Sequence, residues 1–237
     1  MPARPHVLAL VALAATTAVA GCGSGGGGSD HHGGGAPAFS SKPGDEIVKT
    51  GVAALRAAKT VSVSGHVTID DGRMTFTAGT DAQGHCGGTM KLGGGTARFV
   101  STKQASYLKG DDAFWHANAG EHAGAVIGFL NGRWAKFPPT SQLDGMCSMR
   151  TGIADQLTGL TGLKVVRTSR LDGTEVVTLS GKDSNGSITL YVDVAEPHYL
   201  RGFVGKTHGN PADVRFDDFD SVDDVPEPTN AVDLGKK

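Results

Sequence analysis

The sequence predicts an α+β domain: a curved antiparallel sheet of about ten strands, a half-barrel, with helices covering its concave face. Three observations predict it. Short runs with period-2 apolar alternation occur in two sets, tight-turn residues separate the runs within each set, and helix-period segments precede the first set and divide it from the second. Twisted strands in this number with one apolar face must curl, and the helical segments are the available cover.

The first helix opens at Lys42-Pro43-Gly44-Asp45-Glu46, with acidic residues in its first turn, Val48, Val52 and Leu55 at helical spacing, and Arg56 and Lys59 near its end. In the strand that follows, Val61, Val63, Val67 and Ile69 alternate with Ser62, Ser64, His66 and Thr68. Asp70-Asp71-Gly72 turns the chain into a second strand with Met74, Phe76 and Ala78 on one face. Runs at 86–92, 96–102 and 105–109 complete a meander. From Asp111 to Leu160 the pattern is helical or irregular, interrupted by Arg133-Trp134-Ala135-Lys136-Phe137 and stopped by Pro138-Pro139. Period 2 returns at 163–169, 174–179, 187–194, 199–206 and 213–219. Asn185-Gly186 is a hairpin turn signal, because this pair accepts the positive φ of a type I′ turn.

The N-terminus predicts export. Arg4 precedes a run from Val7 to Ala20 drawn only from Val, Leu, Ala and Thr. This run is shorter than the roughly 20 residues of a comfortable bilayer span. It ends at Val19-Ala20-Gly21-Cys22, which resembles the bacterial lipobox. Residues 1–21 are therefore expected to be a lipoprotein signal peptide, and Cys22 the thiol that takes a diacylglyceryl group. Two acyl chains suffice for stable anchoring, so the mature protein is expected on the extracytoplasmic face of the cell membrane, with membrane lipid as its first partner. Residues 22–42, mostly Gly, Ser, Asp, His, Ala and Pro, read as a disordered tether with a reach of about 25 Å. Residues 43–237 read as a single domain.

Charge and chemistry narrow the function. With 22 basic and 24 acidic residues the chain is nearly neutral, which argues against a nucleic-acid partner. Lipidation of Cys22 leaves Cys86 and Cys147, whose default reading in an oxidising compartment is one disulfide; without CxxC spacing they make a poor zinc site. No G-x-S-x-G, H-E-x-x-H, Walker A or strand-to-helix G-x-G-x-x-G string is present, and the histidines are scattered, so neither an enzyme, a metal nor a cofactor is expected. The acids Asp213, Asp217, Asp218, Asp220, Asp223 and Asp224 lack EF-hand spacing and read as a solvated strand edge.

Several strings are similar to those of actinobacterial lipoproteins of the LppX/LprG type and, through them, to LolA-like half-barrel carriers. They are the lipobox with its Gly-rich tether, the helix with Val52 and Leu55 running into Val61-Ser62-Val63-Ser64-Gly65, and Tyr107-Leu108-Lys109-Gly110. Phe114-Trp115, Gly132-Arg133-Trp134-Ala135-Lys136-Phe137-Pro138 and Val214-Arg215-Phe216-Asp217-Asp218-Phe219 with Val225-Pro226 complete the set. The Cys86 and Cys147 pair resembles that of streptomycete-like members. The resemblance implies an apolar cavity between sheet and helical lid that holds a lipid or glycolipid. Val61, Val63, Val67, Ile69, Met74, Phe76, Met90, Leu92, Phe99 and Tyr107 are the candidate lining. The same faces fit a filled core equally well, in a lipoprotein that docks on an envelope protein instead. Glycine at 36 residues, about twice its ordinary share, favours room on the sheet face.

Overall fold

The computed structural model describes residues 38–69, 72–139, 141–183, 186–207 and 209–235. Cys22 with the lipobox, most of the tether, and the turn residues Asp70, Asp71, Ser184 and Asn185 lie outside the described residues.

Helix α1 (Gly44–Ala57) forms where the apolar spacing places it, with Asp45 and Glu46 in the first turn and Arg56 in the last. Its buried stripe is Ile47, Val48, Gly51, Val52 and Leu55. Pro43 at its N-cap offers no side-chain acceptor. The Asp45 carboxylate instead accepts from the N–H groups of Gly162 and Leu163 at 3.0 and 2.8 Å, which ties this helix to the second strand set. Gly51 allows a close approach to the sheet, since a Cβ there would lie 3.0 Å from Val192 Cγ1. Ahead of α1, the Phe39 ring stacks on His198 with centroids 3.6 Å apart, so ordered packing begins inside the segment read as tether.

The first strand set is β1 (Val61–Ile69), β2 (Gly72–Thr80), β3 (Cys86–Leu92), β4 (Gly95–Ser101) and β5 (Ser106–Gly110). Then come α2 (Asp112–Ala119), α3 (Ala123–Leu130), β6 (Trp134–Phe137), α4 (Ser141–Cys147) and α5 (Met149–Thr158). The second set is β7 (Lys164–Leu171), β8 (Thr174–Asp183), β9 (Gly186–Asp193), β10 (Leu200–Thr207) and β11 (Asn210–Asp217), followed by β12 (Ala231–Asp233). Asp111 caps α2 by accepting from the Phe114 N–H at 2.7 Å.

The described residues form one open sheet of order β12-β6-β5-β4-β3-β2-β1-β11-β10-β9-β8-β7. Two antiparallel meanders meet at its centre, where β1 pairs with β11 and Val63 lies opposite Phe216. β6 and β12 were not expected: β6 pairs antiparallel with β5, and β12 pairs parallel with β6, which makes the sheet mixed. Both are too short to display an alternation. The acidic run does not mark a sheet edge as expected. β11 is a central strand, not an edge, and its acids have partners: Asp213 pairs with Arg215, and Asp217 with Arg201 at 3.3 Å. Beyond the strand, Asp220 accepts from the Lys59 N–H at 2.6 Å and the Tyr199 hydroxyl at 2.9 Å.

Directly opposed residues on neighbouring strands share a face. Leu179, Leu190, Phe203, Val214, Gly65, Phe76, Met90 and Ala97 therefore form one inward row from β8 across to β4. Phe216, Val63, Ala78, Gly88, Phe99, Leu108 and Ala135 form the next. Their apolar side chains from β8 to β4 make one buried cluster with the α1 stripe and with Leu143, Met146, Ile153 and Leu157 of α4 and α5, and Leu108 packs half-buried against it.

Candidate functional site

The structure divides the expected lining residues into three groups. Val61, Val63, Phe76, Met90 and Phe99 lie in the buried cluster, and the most accessible of them, Met90, exposes 7% of its surface. Val67, Ile69, Met74 and Leu92 continue the same inward face but are only half-buried. They stand at the end of the strands where β1 turns to β2 and β3 to β4. α2 is seated at that end, for a Cβ on Gly95 would lie 2.0 Å from the Phe114 nitrogen, and the half-buried Trp115 follows Phe114.

Tyr107 is misplaced by the sequence reading. It is opposite Val100, one residue out of step with Phe99 opposite Leu108, so it points from the other face. There it forms a separate cluster with Val100 and Ala105, against Trp134, Val225 and Ala231. Nor do the glycines of the inner face leave room. Gly65 and Gly88 sit where a Cβ would meet neighbouring backbone at 2.1 and 2.0 Å, and at Gly181 it would lie 2.5 Å from Leu163 Cδ2. These glycines admit close neighbours rather than leave space.

Cys86 and Cys147 are joined in a disulfide, with Cα atoms 5.6 Å apart. The bridge fastens the end of α4 to the first residue of β3, at the opposite end of the strand from Leu92. The helical cover is thus pinned at one end of the sheet, and the half-buried apolar residues lie at the other.

On the outer face, the chain after β11 crosses back over the first meander as a strap. Its Val222 N–H donates to Thr60 Oγ1 and its Val225 N–H to Asp81 Oδ2, both at 3.0 Å, and it ends as β12. Between the strap and strands β3–β5 lies a cleft of about 680 Å³, lined by Arg98, Lys109, Arg133 and Trp134 on one side and Asp224 to Asn230 on the other. Sequence reasoning missed this cleft. A smaller groove of about 480 Å³ runs between α1 and α5, lined by Val48, Val52, Leu157 and Leu160, with Arg56 at its edge paired to Asp155. Among the described residues no group of three or more His, Cys, Asp or Glu side chains is placed to hold a metal, and no helix is long and apolar enough to cross a membrane.

No protein-family model matches the chain, and no curated protein does. Solved structures do. LprF from Mycobacterium bovis aligns with a TM-score of 0.58 at 13% identity, covering 78% of this chain and 96% of that one. The lipoprotein LppX from Mycobacterium tuberculosis aligns with a TM-score of 0.55 at 14% identity, covering 81% of this chain and 100% of that one. The chain has an LppX-type fold. The alignments span most of this chain and 96% and 100% of the other two, so the likeness is one of overall fold. Within the LppX-type fold, the half-buried row from Val67 to Leu92 is the candidate site on the inner face, and the cleft under the strap is the one on the outer face.

Proposed function

We propose that this protein is a lipid-anchored lipoprotein of the extracytoplasmic membrane face, in which the LppX-type half-barrel binds a lipid or other amphiphile without covalent chemistry. The observation that carries this reading is the gradient along the inner face. One end is buried and bridged by Cys86 and Cys147, whereas Val67, Ile69, Met74 and Leu92 offer a half-buried apolar surface at the other. An acyl chain laid there would replace water on these side chains, contributing roughly 25 cal/mol per Å² buried. Further access would require the helices to move apart at the unbridged end, since the disulfide holds α4 on β3. The anchor at Cys22, the signal peptide over 1–21 and the tether over 22–42 belong to the same proposal, and they would keep the domain within reach of the bilayer that supplies the ligand.

Uptake of a fluorescent phospholipid by the full chain tests the reading. Wild type is expected to take up the probe, and Met74→Trp, which fills the half-buried end, to lose most of that uptake. Absence of uptake in wild type, or equal uptake in Met74→Trp, would overturn it. Cys22→Ala is expected to release the protein from the membrane fraction or leave the precursor unprocessed.

A second reading, an interaction lipoprotein with a filled core, draws on α3. This helix is apolar throughout, yet Phe129 exposes 59% of its surface. It predicts no lipid uptake and loss of a protein partner in Phe129→Ser.

A further inference from the structure

Arg98 of β4 and Lys109 of β5 are direct partners in the antiparallel register. Their Cβ atoms are therefore about 5 Å apart on one face, an arrangement in which like charges destabilise a strand pair. Among the described residues neither has a carboxylate partner. Both line the cleft beneath the strap. Arg133 joins them, held by donation from Nε to the Leu130 carbonyl at 3.1 Å and from Nη2 to the Phe129 carbonyl at 3.0 Å, a fixed cation at the end of α3. The Arg98 guanidinium lies 5.7 Å from the centre of the Trp134 ring, which orients it.

The cleft also contains Asp224 and Glu227, but these sit toward its other end. Glu227 accepts from the Thr102 hydroxyl at 3.3 Å, and Asp224 precedes Val225, which is bonded to Asp81. Thr102 is four residues along the chain from Arg98, or about 13 Å of extended strand. Charge is thus segregated along the cleft. Arg98 and Lys109 line the cleft side by side, with Arg133 at the end of α3, and Thr89, Thr229 and Asn230 supply uncharged polar groups.

We propose that this cleft binds a phosphate ester, with the phosphoryl oxygens on Arg98, Lys109 and Arg133 and the esterified alcohol toward the strap. A phosphate monoester carries up to two charges, which suits two cations held side by side better than a single carboxylate does. A volume of about 680 Å³ exceeds what a bare ion needs and accommodates a polar headgroup. The site is separate from the inner face, so the reading of that face can fail without affecting it.

Isothermal titration of the full chain, purified in non-ionic detergent, tests the proposal with glycerol phosphate, with glycerol as the neutral control, and with detergent micelles with and without phosphatidylglycerol. Glycerol phosphate is expected to bind and glycerol not, with affinity falling as salt rises. Arg98→Gln and Lys109→Gln should each weaken binding by about tenfold or more, and Arg167→Gln, on the far edge strand β7, should not. Lys109→Gln should also melt no lower than wild type without ligand, because it removes the like-charge pair, which separates lost binding from lost folding. Binding of phosphatidylglycerol micelles alone would assign the ester to a lipid headgroup, and binding of glycerol phosphate as well would assign it to soluble esters. Failure of both to bind, or unchanged binding in Lys109→Gln, would overturn the site.

Discussion

The side chain of Val225 occupies the space that Gly87 leaves open on the outer face of β3, where a Cβ would lie 2.8 Å from Val225 Cγ1. Gly79, its cross-strand partner on β2, stands in the same relation to Val222, at 2.9 Å. The strap is thus seated in a shallow track made of two opposed glycines. Gly87→Val is expected to destabilise the protein by about 2 kcal/mol through overpacking and to make the strap sensitive to protease. Gly124→Ala, at a helical position open to space, is expected to be neutral or stabilising by up to about 1 kcal/mol. Urea unfolding with limited proteolysis distinguishes the two, and equal stability of Gly87→Val and wild type would remove the strap from the packing scheme.

The bridge between Cys86 and Cys147 spans 61 residues of sequence. Closing a loop of that length contributes about 4 kcal/mol in the chain-entropy model, which native strain reduces. Reducing agent is therefore expected to lower the thermal midpoint by several degrees. Cys86→Ala with Cys147→Ala should melt at that lower temperature and show no response to reductant, and an unchanged midpoint in the double variant would show that the loop is held by packing alone.

Asp220 and Asp217 should respond to acid in opposite directions. The Lys59 N–H, followed by the Tyr199 hydroxyl, holds the Asp220 carboxyl below its ordinary 3.8, so its contribution is full above that value and is lost as pH falls through the lower folded one. Burial raises the Asp217 carboxyl despite Arg201, so its ionised form costs stability above the raised value, a cost relieved as pH falls through it. Asp220→Asn is expected to lower the midpoint at pH 7 and to flatten the loss of stability below about pH 4. Asp217→Asn should be nearly neutral at pH 7, since Arg201 keeps both oxygens of Asp193 at 2.8 and 3.0 Å. Melting curves from pH 3 to pH 7 check both, and a larger loss in Asp217→Asn than in Asp220→Asn would contradict the assignment.

The strands were legible wherever burial imposes a period. All ten alternating runs became strands; nine have one face toward the buried cluster, whereas the edge strand β7 is exposed along most of its length and is held by its pairing with β8. β6 and β12 were not legible: four and three residues cannot show a period, and a parallel edge pairing depends on where the strap returns. Tyr107 was assigned to the wrong face because a five-residue strand, with Tyr107 and Leu108 both apolar enough for a core, gives no phase until the register with Val100 and Phe99 is known. The cleft under the strap had a faint signal in the glycines at outward positions of β2 and β3, but only the fold shows that Val222 and Val225 meet them.

Native mass spectrometry of the protein purified from its own membranes tests the central claim most directly. The expected species is a chain beginning at Cys22 with a covalent diacylglyceryl group, and in addition a non-covalent amphiphile that organic extraction removes. A chain carrying no such adduct, from which extraction recovers no lipid and to which none can be added back, would contradict it.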